Sequence, residues 1–290
     1  MSFWESSFLW IEAVIAACAV GAACAIVGVY MILRRVVFLP AALSQVSSLG
    51  VVLALLMPTV VVSARESTWA SPEIVAGGVT LIATLLLGWI PEPRRISRDA
   101  VIGIAYVIAS AMVLAIADRL PHDSPSTSDI LFGNAVVVEP KQMVIAVIVA
   151  AAVIIVHGLL MRPFLFVSFD PQTASAHGVP VRILDTVLFL TVGLTIAVAT
   201  KTIGAMPVFA FAVVPAAAGL RAFTNMRWVF LFAAAVGVVS AFLGYWISFV
   251  AEIPTGPCMA VVTALFFLPA AVVGHLSRAT RRASGNTKST

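Results

Sequence analysis

Charge in this chain is confined to the ends of long apolar segments, and that pattern constrains the fold more than any other feature. Nine stretches stand out, at about 8–33, 43–63, 73–90, 100–118, 143–161, 184–200, 204–222, 228–250 and 257–276. Each is close to the roughly 20 residues that a helix needs to cross a hydrocarbon core about 30 Å thick. Only 10% of residues are charged, and the mean hydropathy is +1.10. A water-soluble fold of this length needs a far more polar surface. The residues predict an all-α, polytopic transmembrane helical bundle of about nine spans. It forms one transmembrane domain over 1–276, followed by a basic polar tail over 277–290 that is expected to be disordered. Lys201-Thr-Ile-Gly204 and Pro207 interrupt one long apolar run. The 184–222 region therefore reads as two spans, or as one broken span with a re-entrant piece, and eight spans is the alternative.

The basic residues set the orientation. With the loop Pro91–Arg98 on the cytoplasmic side and strict alternation, Arg34, Arg35, Arg94, Arg95, Arg98, Arg162, Arg182, Arg221, Arg227, Arg278, Arg281, Arg282 and Lys288 lie inside, and only Arg65, Arg119, Lys141 and Lys201 lie outside. Cytoplasmic loops carry the excess of Lys and Arg, so the N-terminus is expected outside and the C-terminus inside. Glu5 and Glu12 precede any Lys or Arg. The chain thus opens without the basic region of a cleavable signal, and the first span is expected to stay.

Several function classes are disfavoured by residue type and spacing. The pI of 9.3 reflects basic residues at span ends and does not point to nucleic acid. Cys18, Cys24 and Cys258 sit in apolar stretches with no CxxC spacing. There is no Gly-x-x-x-x-Gly-Lys loop for ATP phosphates, no His-Glu-x-x-His helix and no Gly-x-Ser-x-Gly elbow. An ion-coupled secondary transporter usually carries charged residues mid-span, whereas Glu73, Asp99 and Asp185 lie at span entrances. His157 is a lone mid-span histidine. It is a weak candidate metal ligand, and a hydrogen bond to a neighbouring helix is its plainer role.

Two loops have content. The outer one, Arg119–Gln142, holds His122, Asp123, Asp129 and Glu139, and its middle, Ser128–Asn134, reads as a short helix. The inner one holds Phe169-Asp-Pro-Gln-Thr-Ala-Ser-Ala-His-Gly178. Asp170 before Pro171 suits an N-cap followed by Pro at the first helical position, and Gly178 suits a helix stop. A single capped helix of this kind on the cytoplasmic face serves either as a connector or as a docking point.

A series of short pieces resembles one family. Arg34-Arg35, Ala42-Leu-Ser44 and Gly50 are followed by Asp99-Ala-Val-Ile-Gly103, Asp129–Asn134, Phe169-Asp170 with Ala174 and Gly178, and Thr202-Ile-Gly204. Then come Val214-Pro-Ala-Ala217, Gly244–Ser248 and Ile253-Pro-Thr-Gly-Pro257. In order and spacing, from about residue 8 to 270, they resemble the permease subunits of zinc/manganese-class bacterial ABC importers. The resemblance implies a multi-pass protein of the inner (plasma) membrane that moves a divalent metal, zinc or manganese. It implies a second permease copy beside it, as homodimer or heterodimer, and separate cytoplasmic ABC ATPases that hydrolyse the ATP. It also implies an extracytoplasmic substrate-binding protein, and no covalently bound cofactor. By resemblance the docking helix for the ATPase is marked by Asp170, Ala174 and Gly178, and the substrate path by Ala41, Ser44, Gln45 and Ser48.

One departure matters. The family's Asp-x-x-x-His pair at the head of span two aligns with Ala41 and Gln45, and Pro40 stands in place of a glycine. A methyl group cannot ligate a metal, and a Gln carbonyl is a weak neutral donor. The metal site does not carry over, and a same-fold permease for a chelated metal or small organic substrate is the alternative. For the topology, a reporter fused after Lys288 is expected to read cytoplasmic and one inserted near Ser126 external; the reverse at either site would require the spans to be redrawn.

Overall fold

The computed structural model describes residues 7–60, 71–89, 96–119 and 138–269. Among the described residues it has eleven helices and no strand. They are α1 (Ser7–Leu33), α2 (Leu39–Val60), α3 (Pro72–Gly88), α4 (Arg98–Ala117), α5 (Pro140–Leu159), α6 (Met161–Phe169), α7 (Pro171–Ala176), α8 (Val181–Ile203), α9 (Ala205–Ala222), α10 (Met226–Ala251) and α11 (Thr255–Leu265). Seven are long and apolar enough to cross a membrane, and α3 and α11 are shorter apolar helices. Each of the nine predicted stretches overlaps one of these nine elements. The 128–134 helix, His122, Asp123 and Asp129 of the outer loop, and the 277–290 tail lie outside the described residues; Glu139 is described and directly precedes α5.

Helix α1 is the axis of the bundle, packed by α10, α9, α5 and α8. Lipid offers no hydrophobic gain when one apolar helix meets another, so association depends on close backbone approach. The spacing-four ridge of Ala17, Gly21 and Ala25 provides it. A Cβ on Gly21 would lie 2.9 Å from the Gly237 carbonyl oxygen, and one on Gly237 would lie 2.5 Å from the Gly21 oxygen. Helix α2 packs on α3, α4, α8 and α9. On α4 and α5, Ile104, Val107, Ile108, Ile148 and Ile155 are exposed, as a lipid-facing surface requires.

Helix α6 is absent from the sequence reading, because Pro163 looks like a terminator. It lies within the first turn, where a missing N–H costs nothing. The 184–222 run divides cleanly: α8 ends at Ile203, Gly204 adopts φ +90°, and α9 starts at once. Polar contacts at the helix ends join neighbouring elements. Arg34 reaches Asp185 and Ser168, Arg98 donates to the Gly88 carbonyl at 2.7 Å, and Lys201 pairs with Glu73 at the opposite end.

The Gly21–Gly237 contact can be tested. Gly21→Val forces the two backbones apart and is expected to cost about 1–3 kcal/mol. Its thermal midpoint in detergent should fall, whereas Gly103→Ala, where a Cβ meets nothing within 4 Å, should leave the midpoint level or raise it. Equal midpoints for Gly21→Val and the unaltered protein would refute the contact.

Candidate functional site

The predicted path residues sit at the start of α2. Pro40 lies in the helix's first turn, and spacing three and four puts Ala41, Ser44, Gln45 and Ser48 on one face. Ala41, Ser44 and Gln45 line a cavity of about 470 Å³ together with Phe38 just before α2, Tyr106, Ser110 and Leu114 of α4, and Ala205, Met206 and Phe209 of α9. Phe38 and Phe209 stack across one wall, with ring centroids 6.3 Å apart. Ser48 is buried one turn further along and is not among the lining residues.

No charged side chain lines this cavity among the described residues. Its polar groups are few. The Ser44 hydroxyl donates to the Ala41 carbonyl at 2.8 Å, which uses its only proton. The Gln45 Oε1 and Ser110 Oγ atoms are buried and have no hydrogen-bond partner among the described residues. A buried polar atom left unpaired is costly, so these two are the groups placed to meet a polar cargo or its water. Nothing in the sequence marked α4 or α9 as wall. Tyr106 and Ser110, the hydroxyl-bearing residues of the apolar span α4, were the available clue.

His157 lies elsewhere. It is buried, with its ring 5.0 Å from the Tyr30 ring and 5.2 Å from that of Phe164. Its Nε2 is 2.9 Å from Thr191 Oγ1. The Thr191 hydroxyl already donates to the Leu188 carbonyl at 2.8 Å, so it accepts here and Nε2 carries the hydrogen. The side chain is held by helix-to-helix bonding, and it lines neither this cavity nor a smaller one of about 190 Å³ beside Glu73 and Lys201. No group of three His, Cys, Asp or Glu is placed to hold a metal among the described residues.

The inner loop folds as its residues dictate. The Asp170 carboxylate accepts from the Thr173 amide at 3.0 Å and from its hydroxyl at 2.6 Å. These bonds hold the Asp170 carboxyl below its usual range. At the other end, Val179 N–H donates to the Ala174 carbonyl at 3.0 Å, and Gly178 takes φ +75°, the left-handed residue of a Schellman stop. Ala174 is fully buried against its own chain. Its side chain seats α7 on the bundle, while Gln172 and Ser175 of α7 and His177 just beyond it are exposed.

The model of the ABC 3 transport family matches residues 7–274. The chelated iron transport system membrane protein YfeD of Yersinia pestis is 29% identical over 267 residues, 91% of this chain and 85% of that protein. The manganese import system permease protein ScaB of Streptococcus parasanguinis is 30% identical over 261 residues, 89% of this chain and 88% of that protein. PsaBC from Streptococcus pneumoniae, solved in complex with Fab, superposes with a TM-score of 0.76 over 92% of each chain, at 24% identity. A family match across the whole described bundle leaves one conclusion: this chain is a multi-pass membrane permease subunit of the ABC 3 transport family.

Proposed function

We propose that this permease imports a divalent transition-metal ion, manganese or zinc, and that the ion crosses the α2–α4–α9 cavity with much of its water still attached. The observation that carries the reading is the neutral cavity in a chain whose 30%-identical relative is named a manganese import permease. A dication stripped of water in a low-dielectric site needs anionic ligands. Ala41 and Gln45 offer none. Six waters occupy about 180 Å³ at liquid density, which a cavity of about 470 Å³ accommodates. Water bound to a metal is a strong donor, and Gln45 Oε1 and Ser110 Oγ, buried and without a partner among the described residues, can accept from it.

The rest of the machine is supplied by partners in this reading. Separate ATPases dock on the exposed face of α7 and hydrolyse ATP, a soluble binding protein delivers the metal outside, and a second permease copy completes the path. Support for the docking role comes from the build of α7, a helix capped at both ends, seated by one buried residue and otherwise facing solvent.

Two outcomes test this. Ser175→Trp is expected to abolish co-purification of the cognate ATPase with membrane insertion intact, while Ala174→Trp lowers the yield of folded permease itself. Unchanged complex yield for Ser175→Trp would count against α7 as the dock. In calorimetry, the unaltered permease should bind Mn²⁺ or Zn²⁺ weakly or not at all. Ala41→Asp/Gln45→His should create a detectable site, because spacing four places carboxylate and imidazole on one face. Tight binding by the unaltered protein that survives Gln45→Ala would put the ligands elsewhere.

A further inference from the structure

We propose that Arg34 is the positioning residue through which movement of α7 reaches the cavity-lining helix α2. The proposal rests on the docking reading above and adds the connection between the dock and the path.

The Arg34 guanidinium joins three elements at the inner end of the bundle. Its Nε donates to Ser168 Oγ at 3.0 Å, and its NH1 donates to Asp185 Oδ1 at 2.6 Å. Its plane lies over the Phe189 ring, 5.8 Å from the centroid. Ser168 donates its own proton to the Phe164 carbonyl at 2.6 Å, so it is a fixed acceptor at the end of α6. It stands two residues before Asp170, the cap of α7. Asp185 and Phe189 belong to α8. The fork geometry of a guanidinium lets one side chain hold both acceptors at once.

On the other side of Arg34 the chain turns directly into α2. Arg35 adopts φ +56°, an uncommon conformation for a residue with a Cβ. Val36 N–H donates to the Met31 carbonyl at 3.0 Å, closing the end of α1, and Leu39 N–H already donates to the Val36 carbonyl at 3.2 Å. Ala41 and Gln45 follow within two turns of α2. Between the cap of α7 and the cavity wall there is thus one hydrogen-bonded side chain and one short, sterically demanding elbow. A push on α7 carries Ser168, pulls on Arg34 and rotates the elbow from which α2 leaves. Ala41 and Gln45 lie in the first two turns beyond that elbow, so its rotation moves the cavity wall.

The test uses the permease assembled with its cognate ATPase and binding protein in proteoliposomes, with Mn²⁺ as the probe, and reads Mn²⁺ imported per ATP hydrolysed. Ser168→Ala cuts the α6 arm alone, and Arg34→Lys keeps the charge beside Asp185 but cannot span both acceptors. Both are expected to lower the ratio by about fivefold or more, the lower range of coupling effects between sites. A ratio unchanged in Ser168→Ala overturns the proposal, including the case in which uptake and hydrolysis fall together. A second reading is independent of the cargo. Spin labels at Leu49 on α2 and Val239 on α10 should change separation on ATP binding in the otherwise unaltered complex and not in Ser168→Ala. An equal change in both overturns the proposal even if Mn²⁺ is not the substrate. Failure of the docking reading is visible separately, in the yield of complex with Ser175→Trp.

Discussion

Close backbone contact along α1 is the constraint on which the rest of the bundle depends. Leu and Ile facing lipid are as comfortable as Leu and Ile facing protein, so apolar character alone cannot say which helices touch. What chooses partners is where side chains are absent. Gly21 meets Gly237 of α10, and the backbone of α1 at Gly28 rests against Ala212 of α9. Ala17 and Ala25 are fully buried on the same ridge. Large exposed Ile and Val residues on α4 and α5 complete the sorting by having nowhere else to go. The result is a closely packed central pair, α1 with α10, and a second close contact where Gly50 of α2 rests against the Ala76 backbone of α3.

Polar groups in such a bundle are tied down locally. Thr80, Thr84, Thr195, Thr202 and Thr263 each donate to a carbonyl one turn back in their own helix, the usual resort of a hydroxyl with no water nearby. Against that background the exceptions have meaning. His157 with Thr191 ties α5 to α8, and Arg34 with Ser168 and Asp185 ties α1 to α6 and α8. Gln45 Oε1 and Ser110 Oγ have no hydrogen-bond partner among the described residues, and both residues line a cavity. The first two sets hold helices together, whereas the third borders the cavity proposed above as the cargo path.

The class of fold was legible because hydropathy and charge report on the solvent directly. The all-helical class and an apolar helix in each of the nine stretches were legible, and so was α7, since Asp170, Pro171 and Gly178 each satisfy a local backbone requirement. The break at Gly204 was seen but not resolved, because a Lys-Thr-Ile-Gly interruption suits a re-entrant turn as well as a tight bend. Longer-range facts were out of reach. That Asp185 would pair with Arg34 across 151 residues, that Ala174 would point inward, and that α4 and α9 would wall the cavity all depend on tertiary packing. Periodicity does not encode which apolar face meets which. The family resemblance identified the head of α2 as important, and the geometry added the neighbours that make it a cavity.

Loss of a ligand pair from a transport path need not mean loss of transport. A path must admit its ion and also release it, and strong coordination slows the second step as it helps the first. An Asp–His pair gains selectivity by replacing water around the ion with protein ligands, at the cost of dehydration on entry and rehydration on exit. A wall of Ala41, Ser44, Gln45 and Ser110 avoids both steps, because neutral oxygens can accept from the ion's water without displacing it. Such a wall discriminates poorly between ions of equal charge and size. Selectivity then has to be exercised before the membrane, by the protein that delivers the cargo, and the permease is left to control when the path is open. In that division of labour the parts under most constraint are those that time the opening: the seated helix α7, the Arg34 fork and the elbow at Arg35.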